Sequence, residues 1–198
     1  VGSEMCIRDR PCADPALIPS MLNENDEFHS SRTFRDHFKR GEELIDFDEA
    51  CIEIRAQHDR FVEIVGREPD YFEAHAVMSK NLNRAISAVA QELGLKEQKA
   101  SFDPAAVVHC GDTDLRMVMR SMEPGYEPKE AIMQTVRGMV DGETVVFVCH
   151  PGYLDRFILE NSSLTTDRTK EVDALIDPEL RAWLESQSDL RLIDYRDL

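Results

Sequence analysis

The chain has 198 residues, 39 acidic and 23 basic, for a formal net charge of −16; such a surface repels phosphate backbones and anionic membranes, which sets nucleic acid and lipid aside as partners. No apolar run approaches the roughly 20 residues that cross a bilayer and no signal-peptide region opens the chain, so the reading is a soluble, cytoplasmic protein. Five scattered cysteines, Cys6, Cys12, Cys51, Cys110 and Cys149, form no C-x-x-C pair, which fits reduced thiols rather than a disulfide framework or a zinc site.

Residues 1–10 share no pattern with the rest of the chain and read as a non-native terminal artefact, similar to sequencing-adapter read-through, which leaves 11–198 for the fold. From Pro11 to Arg40, prolines and mixed polar residues predict an irregular segment with at most a short helix at Ser31 to Phe38, ordered by tertiary contacts. Asp46 followed by Glu49 makes a capping-box-like start. Phe47, Cys51, Ile54, His58, Phe61 and Val65 then recur at spacings of four and three until Gly66 and Pro69, which predicts an amphipathic helix of about five turns. His58 lies on the apolar stripe, a core or boundary position rather than a catalytic one.

A strand from Asp70 to His75 comes next, entered through a Pro turn, with Glu73 and His75 two apart and on one face. Leu82, Ile86, Val89 and Leu93 describe a second helix stopped by Gly94. Ala105 to His109 reads as a short strand, and Pro128 suits the first turn of a helix reaching Val140. Thr144 to Val148 is an unbroken apolar or β-branched run, the pattern of a strand covered on both faces, and it leads through Cys149 and His150 into the chain-turning pair Pro151-Gly152. A helix around Asp167 to Leu175, another started by Asp177-Pro178, and a last strand at Leu190 to Asp194 complete the chain.

Helices alternating with strands imply βαβ units and a parallel sheet, open or closed into a barrel, although a complete eight-unit barrel typically needs about 250 residues. In either form the C-terminal edge of the strands gathers binding and catalytic side chains. His150 and His75 both stand at such an edge, whereas His109 has no motif around it and does not join the site. The plainer readings are a hydrogen bond that holds a turn for His150 and a solvated carboxylate for Glu73.

Four features keep the order and approximate spacing of one family. They are Gly66-Arg67-Glu68-Pro69 before a strand with an acid two residues ahead of a histidine; Val148-Cys149-His150-Pro151-Gly152-Tyr153 with Asp155 beyond; Ser162-Ser163 and Arg168 ahead of Glu171 to Leu175; and the ending Tyr195-Arg196-Asp197-Leu198. From about residue 12 to the C-terminus the chain resembles the YdjC-like (ChbG/HpnK-type) carbohydrate deacetylases. The resemblance implies an α/β, parallel (β/α) barrel-like deacetylase fold. It implies a metal-dependent hydrolase that removes an acetyl group from an N-acetylated sugar or oligosaccharide, using a divalent cation, magnesium or zinc. It makes His75 a metal ligand and His150 the proton donor. Glu73, where family members commonly carry aspartate, becomes a catalytic or ligand-orienting acid, and Tyr153, Asp155 and Arg168 become substrate contacts. An ion pair between Asp155 and Arg168 is the alternative reading of those two residues.

The departures also carry expectations. The family's Ala-Asp-Asp-Phe-Gly-like motif and Gly-x-His-like strand do not occur here, and histidines that commonly follow the His75 position are replaced by Ala76, Val77 and Ser79. Both missing motifs belong upstream of Pro11. Residues 11–198 are therefore expected to be a partial, N-terminally truncated domain, inactive alone, with an unpaired sheet edge through which copies associate into a homo-oligomer. The competing reading is a non-catalytic carbohydrate-binding or scaffold protein of the same fold.

Overall fold

The computed structural model describes residues 10–74, 77–99, 107–110, 112–121, 123–162, 164–195 and 197–198. The chain divides into two compact units, residues 1–102 with 109–112 and 198, and residues 103–108 with 113–197.

In the first unit the segment after Arg10 carries two short 3-10 turns, Pro15–Leu17 and Pro19–Met21, and then α1 (Ser31–Lys39). Its order comes from α2 (Phe47–Val65), as the lack of periodicity requires. Asp46 caps α2, its Oδ1 accepting the amides of Asp48 and Glu49 at 2.9 and 3.1 Å. The capping box does not close, because Glu49 reaches away from the helix to accept the Ser20 amide at 2.7 Å, while the Asp46 amide donates to Ser20 Oγ at 2.9 Å. One turn on, Glu53 is 1% exposed and accepts the amides of Cys12 and Ala13 at 3.1 and 2.9 Å. Two carboxylates four apart on α2 thus satisfy backbone donors of the preceding segment.

Ile18, Met21, Leu22, Phe34, Ile45, Ala50, Cys51, Ala85 and Val89 form the core of this unit. The predicted α2 stripe is buried only near its start: Val65, at its far end, is exposed. His58 holds the expected boundary position, bonded through Nε2 to Glu68 at 2.6 Å and edge-on to Phe72. β1 (Tyr71–Glu73) is shorter than the predicted strand, and His75 lies outside the described residues. α3 (Lys80–Leu93) ends at Gly94 in the left-handed conformation, as predicted. It carries the chain to β2 (Lys96–Gln98), which pairs parallel with β1 from Tyr71↔Lys96 to Glu73↔Gln98.

β3 (Val107–Cys110) corrects the expectation of an all-parallel sheet, since Cys110 pairs antiparallel with Gln98. Only residues 99–106 separate the two strands, too few for the crossover of about a dozen residues that a parallel pair demands.

In the second unit β4 (Thr113–Met119) precedes α4 (Pro128–Arg137), and α4 leads to β5 (Thr144–Val148). β4 and β5 are parallel, in register from Leu115↔Thr144 to Met119↔Val148. β5 is half-buried along its length rather than fully covered on both faces. α5 (Arg156–Asn161), α6 (Thr166–Leu175) and α7 (Pro178–Glu185) complete the unit, and Ile132, Ala174 and Leu180 pack with Phe147, Trp183 and Leu184. The strand expected at Leu190 to Asp194 does not form. Asp197 accepts the Asp194 amide at 3.0 Å and returns its own amide to the Asp194 carbonyl, so a local turn takes groups that a strand would offer to a neighbour. No helix among the described residues is long and apolar enough to cross a membrane.

Candidate active site

The parallel register of β4 and β5 determines what meets His150. Met119 is opposite Val148, so two residues beyond the strand ends Ser121 comes beside His150, and Ser121 Oγ lies 3.1 Å from His150 Nδ1. Both residues leave their strands at the C-terminal edge, where α/β sheets carry their chemistry.

α6 closes the arrangement from the other side. Glu171 is fully buried. Its Oε1 accepts the hydroxyls of Ser121 at 2.8 Å and Tyr126 at 2.9 Å, and its Oε2 accepts the backbone amide of His150. Arg168 precedes Glu171 by three residues and so shares its helix face. Its Nη1 donates to the His150 carbonyl at 3.3 Å, its Nε donates to the Leu164 carbonyl at 3.0 Å, and its own carbonyl accepts the Gly152 amide at 3.2 Å. One helix therefore grips both backbone groups of His150. A Cβ at Gly152 would meet the Arg168 side chain at 3.7 Å, an ordinary van der Waals contact, so the approach does not depend on glycine there.

The enclosure shapes the titratable neighbours. Burial, with the hydrogen bond to Glu171 and its charge, raises the Tyr126 phenol well above the ordinary tyrosine range, so it remains a donor. Burial, and then the Glu171 charge, pushes the Cys149 thiol up to about 12. A thiol held that far from ionisation is a poor nucleophile at neutral pH.

The structure brings His150 and Arg168 together, with Arg168 only 7% exposed and directed at backbone carbonyls. Asp155 caps α5, accepting the Ile158 amide at 2.8 Å, and Tyr153 beside it is 81% exposed. Glu73 ends β1 in the first unit, exposed, in register with Gln98. Among the described residues no three His, Cys, Asp or Glu side chains come together to hold a metal ion; His75 is outside them. Sequence reasoning gives Ser121, Tyr126 and Glu171 no role in the site. Arg168-x-x-Glu171 on a helix is the available signal, because that spacing directs a base and an acid to one face.

A family model described as YdjC-like protein matches residues 5–186. A protein of Listeria innocua named carbohydrate deacetylase 2 is 26% identical over 182 residues, 90% of this chain and 70% of that one. A carbohydrate deacetylase of Geobacillus stearothermophilus is 27% identical over 95% of this chain and 71% of its own. A chitooligosaccharide deacetylase of Klebsiella pneumoniae is 28% identical over 79% of this chain and 64% of its own. Among solved structures, an Enterococcus faecalis protein described as a candidate cellobiose-phosphate cleavage protein matches with a TM-score of 0.74 over 95% of this chain and 72% of that one, at 22% identity. That likeness shows a shared fold.

Proposed function

The chain belongs to the YdjC-like family, and from that premise we propose that it is a hydrolase that removes the acetyl group of an N-acetylated sugar or oligosaccharide. Relatives named carbohydrate deacetylase and chitooligosaccharide deacetylase support the substrate class. The observation that carries the reading is His150 at the C-terminal edge of β5, its amide held by Glu171 and its carbonyl by Arg168.

An acetamide is a weak electrophile with a poor leaving group, so its hydrolysis needs an activated water and a proton for the departing amine. His150 is the proposed acid. As an imidazolium it would give a proton to the sugar nitrogen as the carbon–nitrogen bond breaks, leaving a neutral imidazole beside acetate and a free amine. Gripping both backbone groups fixes where the ring starts, and such positioning is what proton transfer requires. Tyr153, with most of its ring in solvent, offers an apolar face and a polar tip to a sugar, and Asp155 holds the loop in place by capping α5.

A divalent cation, magnesium or zinc, belongs to the same proposal, with His75 as a ligand and Glu73 as the nearby acid. When bound it would lower the pKa of the attacking water and polarise the acetyl carbonyl. Among the described residues no group of three or more His, Cys, Asp or Glu side chains forms a ligand set for it. A cytoplasmic setting is proposed as well; Cys12, Cys51, Cys110 and Cys149 are all free thiols.

The test is release of acetate from N-acetylated chitooligosaccharides, followed with magnesium or zinc added. Equimolar acetate and free amine support the reading. Sugar binding with no acetate released under any of these conditions would favour the non-catalytic carbohydrate-binding protein.

A further inference from the structure

His150 is attached to Glu171 twice, once through its backbone and once through Ser121, and the second attachment has a polarity. Glu171 Oε1 receives the Ser121 and Tyr126 hydroxyls, and Oε2 receives the His150 amide. An ionised carboxylate only accepts, so each of these contacts takes its proton from the partner. Serine has a single hydroxyl proton. With that proton directed 2.8 Å to Glu171, Ser121 Oγ has only lone pairs for its 3.1 Å contact with His150 Nδ1. The proton of that second contact must come from the ring.

We infer that Ser121 and Glu171 are positioning residues for His150: Glu171 orients the Ser121 hydroxyl, Ser121 accepts the proton on Nδ1, and the imidazole is left to exchange its reactive proton through Nε2. Its use in deacetylation rests on the function proposed above. The polarity does not, because it follows from donor and acceptor counts alone. Tyr126 secures the far side of Oε1 and, being raised in pKa by burial first and Glu171 second, stays a donor across the working pH range.

The relay has a consequence that a purely structural contact lacks. A neutral histidine carries its proton on one nitrogen or the other, and the hydrogen bond at one decides the state of both. Deleting the acceptor at Nδ1 removes the hydrogen bond that favours a proton there. Converting Glu171 to an amide supplies a donor to Ser121 and allows the serine proton to turn toward the ring.

Nitrogen-15 spectra of the imidazoles in the unliganded chain, with the His150 signals identified by their loss in His150→Ala, read the tautomer directly. The expected result is a neutral ring protonated at Nδ1, with that population falling in Ser121→Ala and Glu171→Gln and restored in Ser121→Thr. Tyr126→Phe should lower the melting temperature and leave the tautomer in place. A wild-type ring protonated at Nε2 overturns the inference, and so does an unchanged tautomer in folded Ser121→Ala. If Glu171→Gln fails to fold, wild type and the two serine variants decide. Loss of acetate release with the Nδ1 tautomer intact would count against the proposed function alone.

Discussion

Ala13 and Glu53, 40 positions apart, are joined by a 2.9 Å hydrogen bond from the Ala13 amide to Glu53 Oε2. The neighbouring amide of Cys12 takes the other carboxylate oxygen, and Gln57 on the next turn of α2 donates to that oxygen at 2.8 Å. A carboxylate 1% exposed is tolerated here because donors surround it. Glu53→Ala would leave two backbone amides without their acceptor, at a cost of about 1–3 kcal/mol each where they stay dry. Urea denaturation should show a lower midpoint, and limited proteolysis should open the chain between Pro11 and Ser20. Unchanged values in both would mean that this segment is held by its apolar contacts alone.

Gly66 ends α2 with φ of 75°, and a Cβ there would touch nothing within 4 Å. Gly66→Ala therefore isolates backbone strain from packing. The expected loss is about 1 kcal/mol, the ordinary cost of placing alanine in the left-handed region. A neutral result by chemical denaturation would require α2 to end in another conformation.

His58 gives stability a pH dependence of known sign. Burial lowers its pKa, but hydrogen bonds from the ring to Glu68 and then Asp59, with the charges of those carboxylates, outweigh it and leave the pKa above the ordinary histidine value. A raised folded-state pKa contributes stability that is complete below the unfolded value, near 6.5, and is lost as pH rises through the folded one. Melting temperatures measured from about pH 5.5 to about pH 9 should fall more steeply for wild type than for His58→Gln. Parallel profiles would show that the pair with Glu68 contributes nothing.

Cys149 should be the unreactive thiol next to the candidate site. With its pKa pushed up to about 12 by burial and the Glu171 charge, it stays protonated at neutral pH and should alkylate far more slowly than exposed Cys12. Mass spectrometry after brief iodoacetamide treatment at pH 7.5 compares the two directly. Equal labelling would mean that the pocket around Glu171 opens in solution.

How much of the fold is legible in the sequence depends on whether the determining contacts are local. Asp46, Gly66, Gly94, Pro128 and Asp177 mark helix ends by backbone chemistry confined to a few residues, and each stands at the helix end its chemistry predicts. β5 is legible because its apolar run is unbroken and Pro-Gly comes directly after Cys149 and His150. β4 is not: Asp114 and Arg116 interrupt its apolar residues, and the reason Arg116 is accommodated is Glu143, with Nη2 to Oε2 at 3.1 Å, 27 positions away. β2 has three residues, Lys96 to Gln98, none apolar, and exists because α3 delivers it beside β1. The site divides in the same way. His150 can be placed from its strand and turn, whereas Ser121 and Glu171 matter through a contact spanning 50 positions, which needs the β4–β5 register before it can be seen.

The proposed role of His150, supplying the proton for sugar deacetylation, is read out by acetate release. With a divalent cation present, wild type should release acetate from an N-acetylated chitooligosaccharide. Folded His150→Ala should lose roughly 10²–10⁴-fold in kcat, as removal of a general acid does. A His150→Ala protein that matches the wild-type rate, or a folded wild type that releases no acetate from any N-acetylated sugar, would contradict it.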